Sequence, residues 1–389
     1  MSPPSRFCPM RIVWLNWRDM ANPEGGGSEV YLETIARGLA ERGHEVTIIC
    51  AAHDQAPDRE TIDGVTFIRQ GGKLSVYQRA RRTLRKKDFA HADVVIDTHN
   101  GIPFLAPWAT KVPVVVLVHH VHREQWPVVY DPIRARFGWW VESKLAPRVY
   151  RRCRYITVSE ATRSELALLG IGPERISVVP NGTRTHETSI QKPADHPHLV
   201  VLGRLVPHKR VEHAIDAVAA LRGAFPDLTL SVVGDGWWMP QLQRHAQNMG
   251  VADRITFTGH IDEQAKQAEL ARAWILALPS LKEGWGLVVM EAAARGVPTV
   301  AYRAAGGVCE SVRDGETGVL VDGGRDDFIA AIGRLITDAT SRQQLGAAAR
   351  LHAGNYSWDA SVDQFEEILL AIGPAAHNAK TPALRLRGQ

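Results

Sequence analysis

The chain has 389 residues, which is too long for one ordinary hydrophobic core, so we expect two domains. Hydrophobic residues make up 45% of the sequence and charged residues 23%, as in soluble globular proteins. The formal net charge of +4 is small for this length, which argues against a dedicated nucleic-acid-binding protein. We therefore expect no nucleic-acid partner.

Cysteine usage and apolar runs indicate the compartment. The four cysteines are scattered, with neither a C-x-x-C pair nor a metal-ligand spacing, so we expect free thiols in a reducing compartment. The longest strongly apolar run, residues 112–118, is far shorter than the roughly 20 residues of a membrane-spanning helix. Residues 1–10 lack the apolar centre of a signal peptide and are expected to be disordered. These features predict a cytoplasmic protein.

The first predicted elements form a strand–loop–helix–strand unit. Residues 11–15 (RIVWL) have the pattern of a buried strand, a long turn covers residues 16–27, and a helix leads to the next strand at residues 46–50. Strands that alternate with helices predict a parallel, doubly wound α/β sheet, whose ligands bind at the carboxyl ends of the strands. The turn ends in three glycines, Gly25, Gly26 and Gly27. They do not fit the G-x-G-x-x-G pattern, and a flexible turn explains them equally well.

A basic segment, residues 77–90 (YQRARRTLRKKDFA), carries six cations and one acid. A solvated helix face is the ordinary explanation of such a run. The alternative is contact with an anionic membrane or with a phosphorylated acceptor. Residues 134–154 add cations beside Phe137, Trp139 and Trp140, which slightly favours the alternative.

Histidines follow a later predicted strand. Residues 93–97 and 114–118 have the pattern of buried strands, and the second is followed by His119, His120 and His122. A strand directs adjacent side chains to opposite faces, so His119 and His120 cannot easily share a metal ion. The sequence also contains no D-x-D pair. We therefore expect no metal site.

The strand–helix alternation is interrupted once. A polar segment with two prolines, residues 184–197, predicts a linker between a first domain at residues 11–183 and a second domain at residues 198–356. Strands of the second domain are predicted at residues 198–202, 228–233, 254–258 and 273–278. The repeated pattern predicts two facing doubly wound domains with a cleft between them.

Two carboxylates frame a predicted helix N-terminus in the second domain. Glu283 precedes a helix at residues 287–295, and Glu291 lies inside it, with seven residues between the two. The N–H groups at residues 286–288 suit an anion such as a phosphate. Glu291, roughly 6 Å further along the helix axis, suits hydroxyl groups. This arrangement fits a nucleotide diphosphate-sugar, unless Glu283 is solvated and Glu291 merely complements the helix dipole.

Arg204 and Lys209 lie five residues apart at a predicted strand-to-helix junction. A departing diphosphate needs positive charge, which a guanidinium and an ammonium group supply. Together with the two carboxylates, this spacing supports the same kind of ligand.

These motifs resemble those of glycosyltransferase family 4, a family of retaining enzymes with the GT-B fold. The resemblance lies in GGGSEVYLETIARGLAERGHEVTII, GRLVPHK, TGH, EGWGLVVMEAAARGVPTVA and GGVCE, within residues 11–370. It implies catalytic roles for His119, Arg204, Lys209 and Glu283. It implies donor binding by Gly26, Gly27, Gly203, His260, Trp285, Gly286, Leu287, Glu291 and Gly307. At His260 the implied contact is through the main chain. Trp285 stands where Phe is commoner in the family, and Cys309 where Pro is common.

The resemblance implies an enzyme that transfers a hexose from a UDP- or GDP-linked sugar to an acceptor hydroxyl, in glycan or glycolipid biosynthesis. No metal or other cofactor is expected. A last helix, residues 357–372, is expected to cross back to the first domain, and residues 373–389 to be disordered. The alternatives are a sugar-phosphate or glycogen-type synthase on the same fold, an inactive nucleotide-sugar-binding protein, and a lipid- or nucleic-acid-binding module.

Overall fold

Two β-sheets with helices on their faces form the core of the protein. The computed structural model describes residues 9–183 and 192–373. Residues 1–8, 184–191 and 374–389, which include most of the predicted linker and of the predicted disordered ends, lie outside the described residues.

The first sheet is built from the first half of the chain. Its strands are β1 (Arg11–Leu15), β2 (Glu45–Cys50), β3 (Arg59–Ile62), β4 (Val65–Arg69), β5 (Val94–Thr98), β6 (Val114–Val118), β7 (Arg154–Thr157) and β8 (Ile176–Val178). The helices of this half are α1 (Gly27–Glu41), α2 (Ser75–Leu84), α3 (Lys87–Ala90), α4 (Trp126–Val129), α5 (Pro132–Trp140), α6 (Ala146–Val149) and α7 (Glu160–Leu168). The strand order is β3-β4-β2-β1-β5-β6-β7-β8.

Strand β3 corrects the prediction of a purely parallel sheet. It pairs with β4 in an antiparallel hairpin, whereas the other neighbours in this sheet are parallel. The two residues of the turn, Asp63 and Gly64, have φ of 50° and 78°, the left-handed values that a two-residue hairpin turn requires. The sequence of β3, RETI, is short and polar, so apolar patterning did not mark it as a strand.

The second sheet confirms the predicted repeat of the alternation. Its strands are β9 (His198–Leu202), β10 (Thr229–Val233), β11 (Ile255–Gly259), β12 (Ile275–Leu278), β13 (Thr299–Tyr302) and β14 (Gly318–Val321). Its helices are α8 (Glu212–Leu221), α9 (Met239–Asn248), α10 (Glu263–Arg272), α11 (Leu287–Ala294), α12 (Val308–Ser311), α13 (Arg325–Thr337) and α14 (Ala339–Ala353). The order is β11-β10-β9-β12-β13-β14, with parallel neighbours.

Each sheet contains a point where the strand order reverses. β1 lies between β2 and β5, and β9 lies between β10 and β12. The crevice outside the carboxyl ends of the strands at such a reversal is the usual ligand site of doubly wound sheets. Arg204 comes shortly after β9 and Glu283 shortly after β12. The fold therefore brings both predicted site residues to the reversal of the second sheet.

The last helix, α15 (Trp358–Leu370), packs on the first domain. Phe365 stacks on Trp14 of β1 with ring centroids 5.3 Å apart. Arg42, just after α1, pairs with Glu366 at 2.7 Å. A Cβ on Gly38 of α1 would lie only 2.6 Å from the side chain of Val362, so this glycine permits the close approach of α1 and α15.

Candidate functional site

A cation–carboxylate pair lies at the reversal of the second sheet. Lys209 ends a short 3-10 turn, Pro207–Lys209, and its Nζ lies 2.5 Å from Oε1 of Glu283. The hydroxyl of Ser280 donates to the same oxygen at 2.7 Å. The two residues are 74 positions apart in the chain, so the pair exists only because β9 and β12 are neighbours. The structure therefore brings Lys209 and Glu283, which were predicted from separate motifs, into contact.

The loop that carries Glu283 is fixed through its backbone. The N–H of Glu283 donates to the carbonyl of Ala305 at 2.8 Å, and the N–H of Gly307 donates to the carbonyl of Glu283 at 3.1 Å. A Cβ on Gly307 would lie 1.9 Å from the carbonyl oxygen of Gly284. Only glycine fits at this predicted site position, because the two loops meet backbone to backbone.

The N-terminus of α11 opens beside this pair. Gly286 precedes the helix with φ of 88°, a left-handed value that favours glycine. The first N–H groups of a helix have no partner inside it, and they attract anions. A Cβ on Gly27, in the glycine turn of the first domain, would lie 3.9 Å from the side chain of Leu287. Both domains therefore reach the helix end at which a phosphate is predicted.

Glu291 lies one turn further inside α11. Its Oε1 accepts from Nζ of Lys266 in α10 at 2.7 Å. Although burial lowers the pKa of Lys266, the attraction of Glu291 raises it above the ordinary value. A ribose hydroxyl at Glu291 would therefore meet an ion pair rather than a lone carboxylate.

Arg204 connects the two domains. Its Nη1 donates to the carbonyl of Glu24, in the long turn after β1, at 3.4 Å. Burial lowers the pKa of Arg204 to about 10, and the charge of Arg18 adds to this effect. Because this pKa is still well above 7, the guanidinium is charged at neutral pH.

The backbones at the ends of β9 and β10 are in direct contact at Gly203 and Gly234. Gly203 has φ of 140°, and a Cβ on Gly234 would lie 2.1 Å from the carbonyl oxygen of Gly203.

His119 is the predicted catalytic residue of the first domain. Burial lowers the pKa of His119 to about 4, so the imidazole is neutral at physiological pH. The ring meets Tyr31 of α1 edge to face at 5.3 Å. Within the described part of the chain its Nε2 is buried without a hydrogen-bond partner, and such an atom normally requires one. A Cβ on Gly284 would lie 2.3 Å from the carbonyl oxygen of His119, which shows how closely the two domains approach.

A buried ion pair next to the glycine turn was missed by the sequence analysis. Arg18, after β1, pairs with Glu29 of α1 at 3.1 Å, and both side chains are buried. Glu29 also accepts from the N–H of Gly26 at 2.9 Å, which holds the glycine turn against the helix. The glycine motif marks the position of Glu29, but no local signal in the sequence identifies its partner Arg18.

Further contacts at the domain interface were also missed. The carboxylate of Glu310 accepts from the N–H groups of Glu160 and Ala161, at 2.9 and 2.8 Å, at the start of α7. Lys282 of the second domain pairs with Glu165 of the first. The sequence analysis left Glu310 without a role at the interface, because these partners lie on another domain.

Trp285 and His260, two predicted donor-binding residues, differ in how far their side chains are buried. The side chain of Trp285 is 3% exposed and packs edge to face against Tyr356 at 5.1 Å, within the hydrophobic core that also holds Phe365. Its carbonyl accepts from the hydroxyl of Ser311 at 2.7 Å. The side chain is therefore a packing group, whereas the side chain of His260 is exposed after β11.

In residues 9–183 and 192–373, no group of three histidine, cysteine or carboxylate side chains has the geometry of a metal site. Cys50, Cys153 and Cys309 are free thiols.

Two protein-family models match the chain. The model described as Glycosyltransferase Family 4 matches residues 25–187, and the model described as Glycosyl transferases group 1 matches residues 183–352. Together they span both domains, in the order that the sequence motifs predict.

Individual relatives match along nearly their whole length. The GDP-mannose-dependent alpha-(1-6)-phosphatidylinositol monomannoside mannosyltransferase of Mycolicibacterium smegmatis is 30% identical over 370 residues, which cover 89% of this chain and 95% of that protein. The D-inositol 3-phosphate glycosyltransferase of Thermomonospora curvata is 28% identical over 396 residues, which cover 89% and 90%. Among solved structures, sucrose-phosphate synthase from Thermosynechococcus elongatus has a TM-score of 0.79 at 20% identity, over 95% of this chain and 100% of that one. This likeness confirms the predicted GT-B fold.

Proposed function

This chain belongs to glycosyltransferase family 4, and from that premise we propose that it transfers mannose from GDP-mannose to a hydroxyl group of an inositol-containing glycolipid. As a family member it is a hexosyltransferase that uses a nucleotide diphosphate-sugar. GDP-mannose is chosen because the relative from M. smegmatis is named for that donor. An inositol-containing acceptor is chosen because the names of both relatives contain inositol.

One observation carries the proposed chemistry: Lys209 and Glu283 meet at the reversal of the second sheet, where Arg204 also lies, just before the start of α11. A diphosphate placed there would compete with Glu283 for the Lys209 ammonium. It would also accept from the first N–H groups of α11. Positive groups fixed at the site of developing charge are the main source of stabilisation in such reactions.

In the proposed reaction, the bond between the sugar C1 and the β-phosphate oxygen breaks while C1 bonds to the acceptor oxygen on the same face. The acceptor proton passes to the departing phosphate oxygen, so no protein nucleophile is needed and the anomeric configuration is retained. Arg204 and Lys209 stabilise the diphosphate as its charge grows.

The remaining site residues position the sugar and the nucleoside in this proposal. Glu283, once Lys209 turns to the diphosphate, accepts from sugar hydroxyls. The neutral His119 contributes its unpartnered Nε2 from the first domain. Glu291 accepts from the ribose and stays paired with Lys266. The contact between Gly284 and His119 closes the cleft and excludes water, which limits hydrolysis of the donor.

We also propose that transfer needs no metal, because Arg204, Lys209 and the α11 N-terminus already supply positive charge to the diphosphate. The test is a transfer assay with the full chain in EDTA, offering GDP-mannose, UDP-glucose and ADP-glucose with a phosphatidylinositol mannoside as acceptor. Transfer from GDP-mannose alone, with an α-linked product by NMR, is the expected result. Transfer from UDP-glucose or ADP-glucose would overturn the choice of donor. An inverted product would overturn the retaining mechanism, and activity restored only by Mg²⁺ would overturn the metal independence.

The acceptor is tested separately. Inositol phosphate and a phosphatidylinositol mannoside are offered to the same enzyme with the same donor. Transfer to the lipid alone supports the glycolipid assignment, whereas transfer to the soluble phosphate alone replaces it.

We propose a location at the cytoplasmic face of a membrane, with peripheral contact through residues 77–90. In residues 9–183 and 192–373, no helix combines the length and apolarity needed to cross a bilayer. Val76, Ala80 and Leu84 of α2 are buried in the core of the first domain. The segment therefore contributes charge to such a contact, but no apolar anchor.

A further inference from the structure

Helix α5 presents large apolar side chains to solvent. Ile133, Phe137 and Trp140 are 81%, 61% and 51% exposed. Their spacing of four and three residues places them on one stripe of the helix. The rings of Phe137 and Trp140 stack with centroids 6.1 Å apart. A cluster of this kind on a folded surface usually marks a contact with a partner or a membrane.

The apolar surface continues beyond α5. Val128 and Tyr130, at the end of α4, are each 43% exposed. Tyr130 meets Trp126 at 5.4 Å, which anchors it to the buried part of the first domain. Because α4 packs against α5, the exposed apolar surface extends from α5 to the end of α4.

Cations surround the exposed apolar side chains. Residues 123–154 contain eight arginines and lysines but three acids, and one of these acids, Glu142, is buried against His122 and Trp126. α5 continues through a π-helical turn, Val141–Leu145, into α6. Lys144 and Arg148, both exposed, follow Trp140 at four and eight residues along this continuous helix. Their long aliphatic stems can cover apolar surface while their charged ends remain in the headgroup region.

We propose that the α5 face, defined as Ile133, Phe137, Trp140, Lys144 and Arg148, docks on a bilayer that contains anionic lipids. Its apolar side chains would enter the interface between headgroups and acyl chains, and its cations would meet lipid phosphates. The proposal rests on the peripheral contact given above and adds an apolar anchor at α5 to the charge that residues 77–90 contribute.

Charge distinguishes a lipid surface from a second copy of this chain. Two copies joined at the α5 face would bring the excess cations of residues 123–154 of both copies into one interface, and like charges repel. An anionic bilayer instead offers negative charge at its surface and apolar volume directly beneath it. The cations of the α5 face suit the charged surface, and its apolar side chains suit the apolar volume beneath.

The α5 face also lies near the cleft. α4, which packs against α5, contacts the Pro207–Lys209 turn of the second domain. A chain docked through the α5 face would therefore hold the Lys209 region close to the bilayer, where a lipid acceptor resides. This relation connects docking with the proposed acceptor, although docking itself needs no donor.

The experiment is co-sedimentation of the full chain with phosphatidylcholine vesicles, with and without phosphatidylglycerol, in the absence of nucleotide sugar. The wild type is expected to bind the anionic vesicles. The triple variant Ile133→Ser, Phe137→Ser, Trp140→Ser is expected to lose about tenfold or more in partitioning, since three apolar anchors are removed. The matched control is Leu168→Ser with Leu351→Ser, which removes leucines that are 86% and 77% exposed on α7 and α14. The control should bind like the wild type, and all three proteins should share one melting temperature.

Three results would overturn the proposal. The first is a wild type that does not bind anionic vesicles. The second is a triple variant that binds normally while replacement of Arg79, Arg81 and Arg82 by glutamine abolishes binding, which would return the contact to residues 77–90. The third is a dimer in light scattering that the triple variant dissolves, which would assign the α5 face to self-association. Because no donor is present, failure here is distinguishable from failure of the transfer reaction.

Discussion

The two halves of the cleft hold their functional groups in different ways. In the second domain, Lys209 and Glu283 lie on loops after strands, and their side chains keep 20% and 12% exposure. In the first domain, Arg18 and Glu29 are paired and buried, and His119 is buried and neutral. The half that would meet the departing diphosphate keeps partly exposed charge, whereas the half that would meet the sugar holds its groups buried.

This difference predicts whether a substitution changes turnover or stability. A change in the second-domain half removes charge from a loop and should affect turnover more than folding. A change in the first-domain half disturbs packing, so it should also alter stability and its dependence on pH.

The largest effect is expected for Lys209→Ala. This substitution removes the ammonium that would stabilise the departing diphosphate, so kcat should fall about 100- to 1,000-fold, as for the loss of a preorganised donor. The fold should be retained, and the free energy of unfolding should fall by about 1–3 kcal/mol, because Glu283 loses its cation but keeps the hydrogen bond from Ser280. Steady-state transfer rates and thermal unfolding measure the two effects.

The matched control is Arg244→Ala, which removes an exposed cation of α9 in the same domain. Its kcat should equal that of the wild type. Retention of more than about a tenth of kcat in Lys209→Ala would show that the second-domain half does not act through this charge.

The next largest effect is expected for Gly284→Ala, which tests whether the two halves must close together. The new Cβ would lie 2.3 Å from the His119 carbonyl oxygen, so the domains must separate slightly. Misplacement of reacting groups by about 1 Å can cost about 100-fold, and we expect kcat/KM to fall by about 10- to 100-fold. Gly223→Ala is the control, since a Cβ there meets no heavy atom within 4 Å. Full activity in Gly284→Ala would show that transfer does not require the close approach of Gly284 and His119.

The buried His119 of the first domain should make the stability of the protein depend on pH. The pKa of His119 is about 4 in the folded chain and 6.5 ordinarily, because burial penalises the imidazolium form. Between these values the unfolded chain binds the proton and the folded chain does not. Stability should therefore fall as pH drops from about 6.5 to about 4, by up to about 1.4 kcal/mol per pH unit from this group.

His119→Asn removes that titration. Urea unfolding between pH 4 and pH 7 should give a shallower slope for this variant than for the wild type. His260→Asn replaces an exposed histidine and should keep the wild-type slope. Equal slopes for the wild type and His119→Asn would contradict the buried, neutral state of His119.

The smallest effect is expected for Trp285→Phe. Because Trp285 packs against Tyr356 inside the core, this change should cost less than about 1.5 kcal/mol of stability. The KM for the donor should stay within about twofold of the wild type, since no interaction with the donor is lost. A large rise in KM with unchanged stability would instead place the Trp285 side chain at the donor.

The sequence was sufficient for most of the fold, because the central strands are apolar runs buried on both faces. β1, β6 and β9 lie where the patterns predict them. β3 was missed because a polar edge strand has no such pattern, and β14 was missed because its apolar run is only four residues long.

For the site, local motifs located individual residues but not their partners. The cation spacing and the carboxylate spacing marked Lys209 and Glu283, yet their contact depends on which strands adjoin. His208 was assigned no role in the same motif. Its side chain is in fact buried, and burial lowers the pKa of His208 to about 3, with Lys209 adding to the effect. Burial at a domain interface depends on both domains, so a motif in one of them does not reveal it.

Calorimetric titration of GDP into the chain in EDTA tests whether Arg204 and Lys209 bind the diphosphate without a metal ion. It isolates diphosphate binding from transfer and from the acceptor. We predict binding by the wild type and a loss of about 100-fold or more in the double variant Arg204→Ala, Lys209→Ala, since each charge-assisted hydrogen bond contributes about 1.5–3 kcal/mol. Equal affinity for both proteins, or binding that requires added Mg²⁺, would contradict the account.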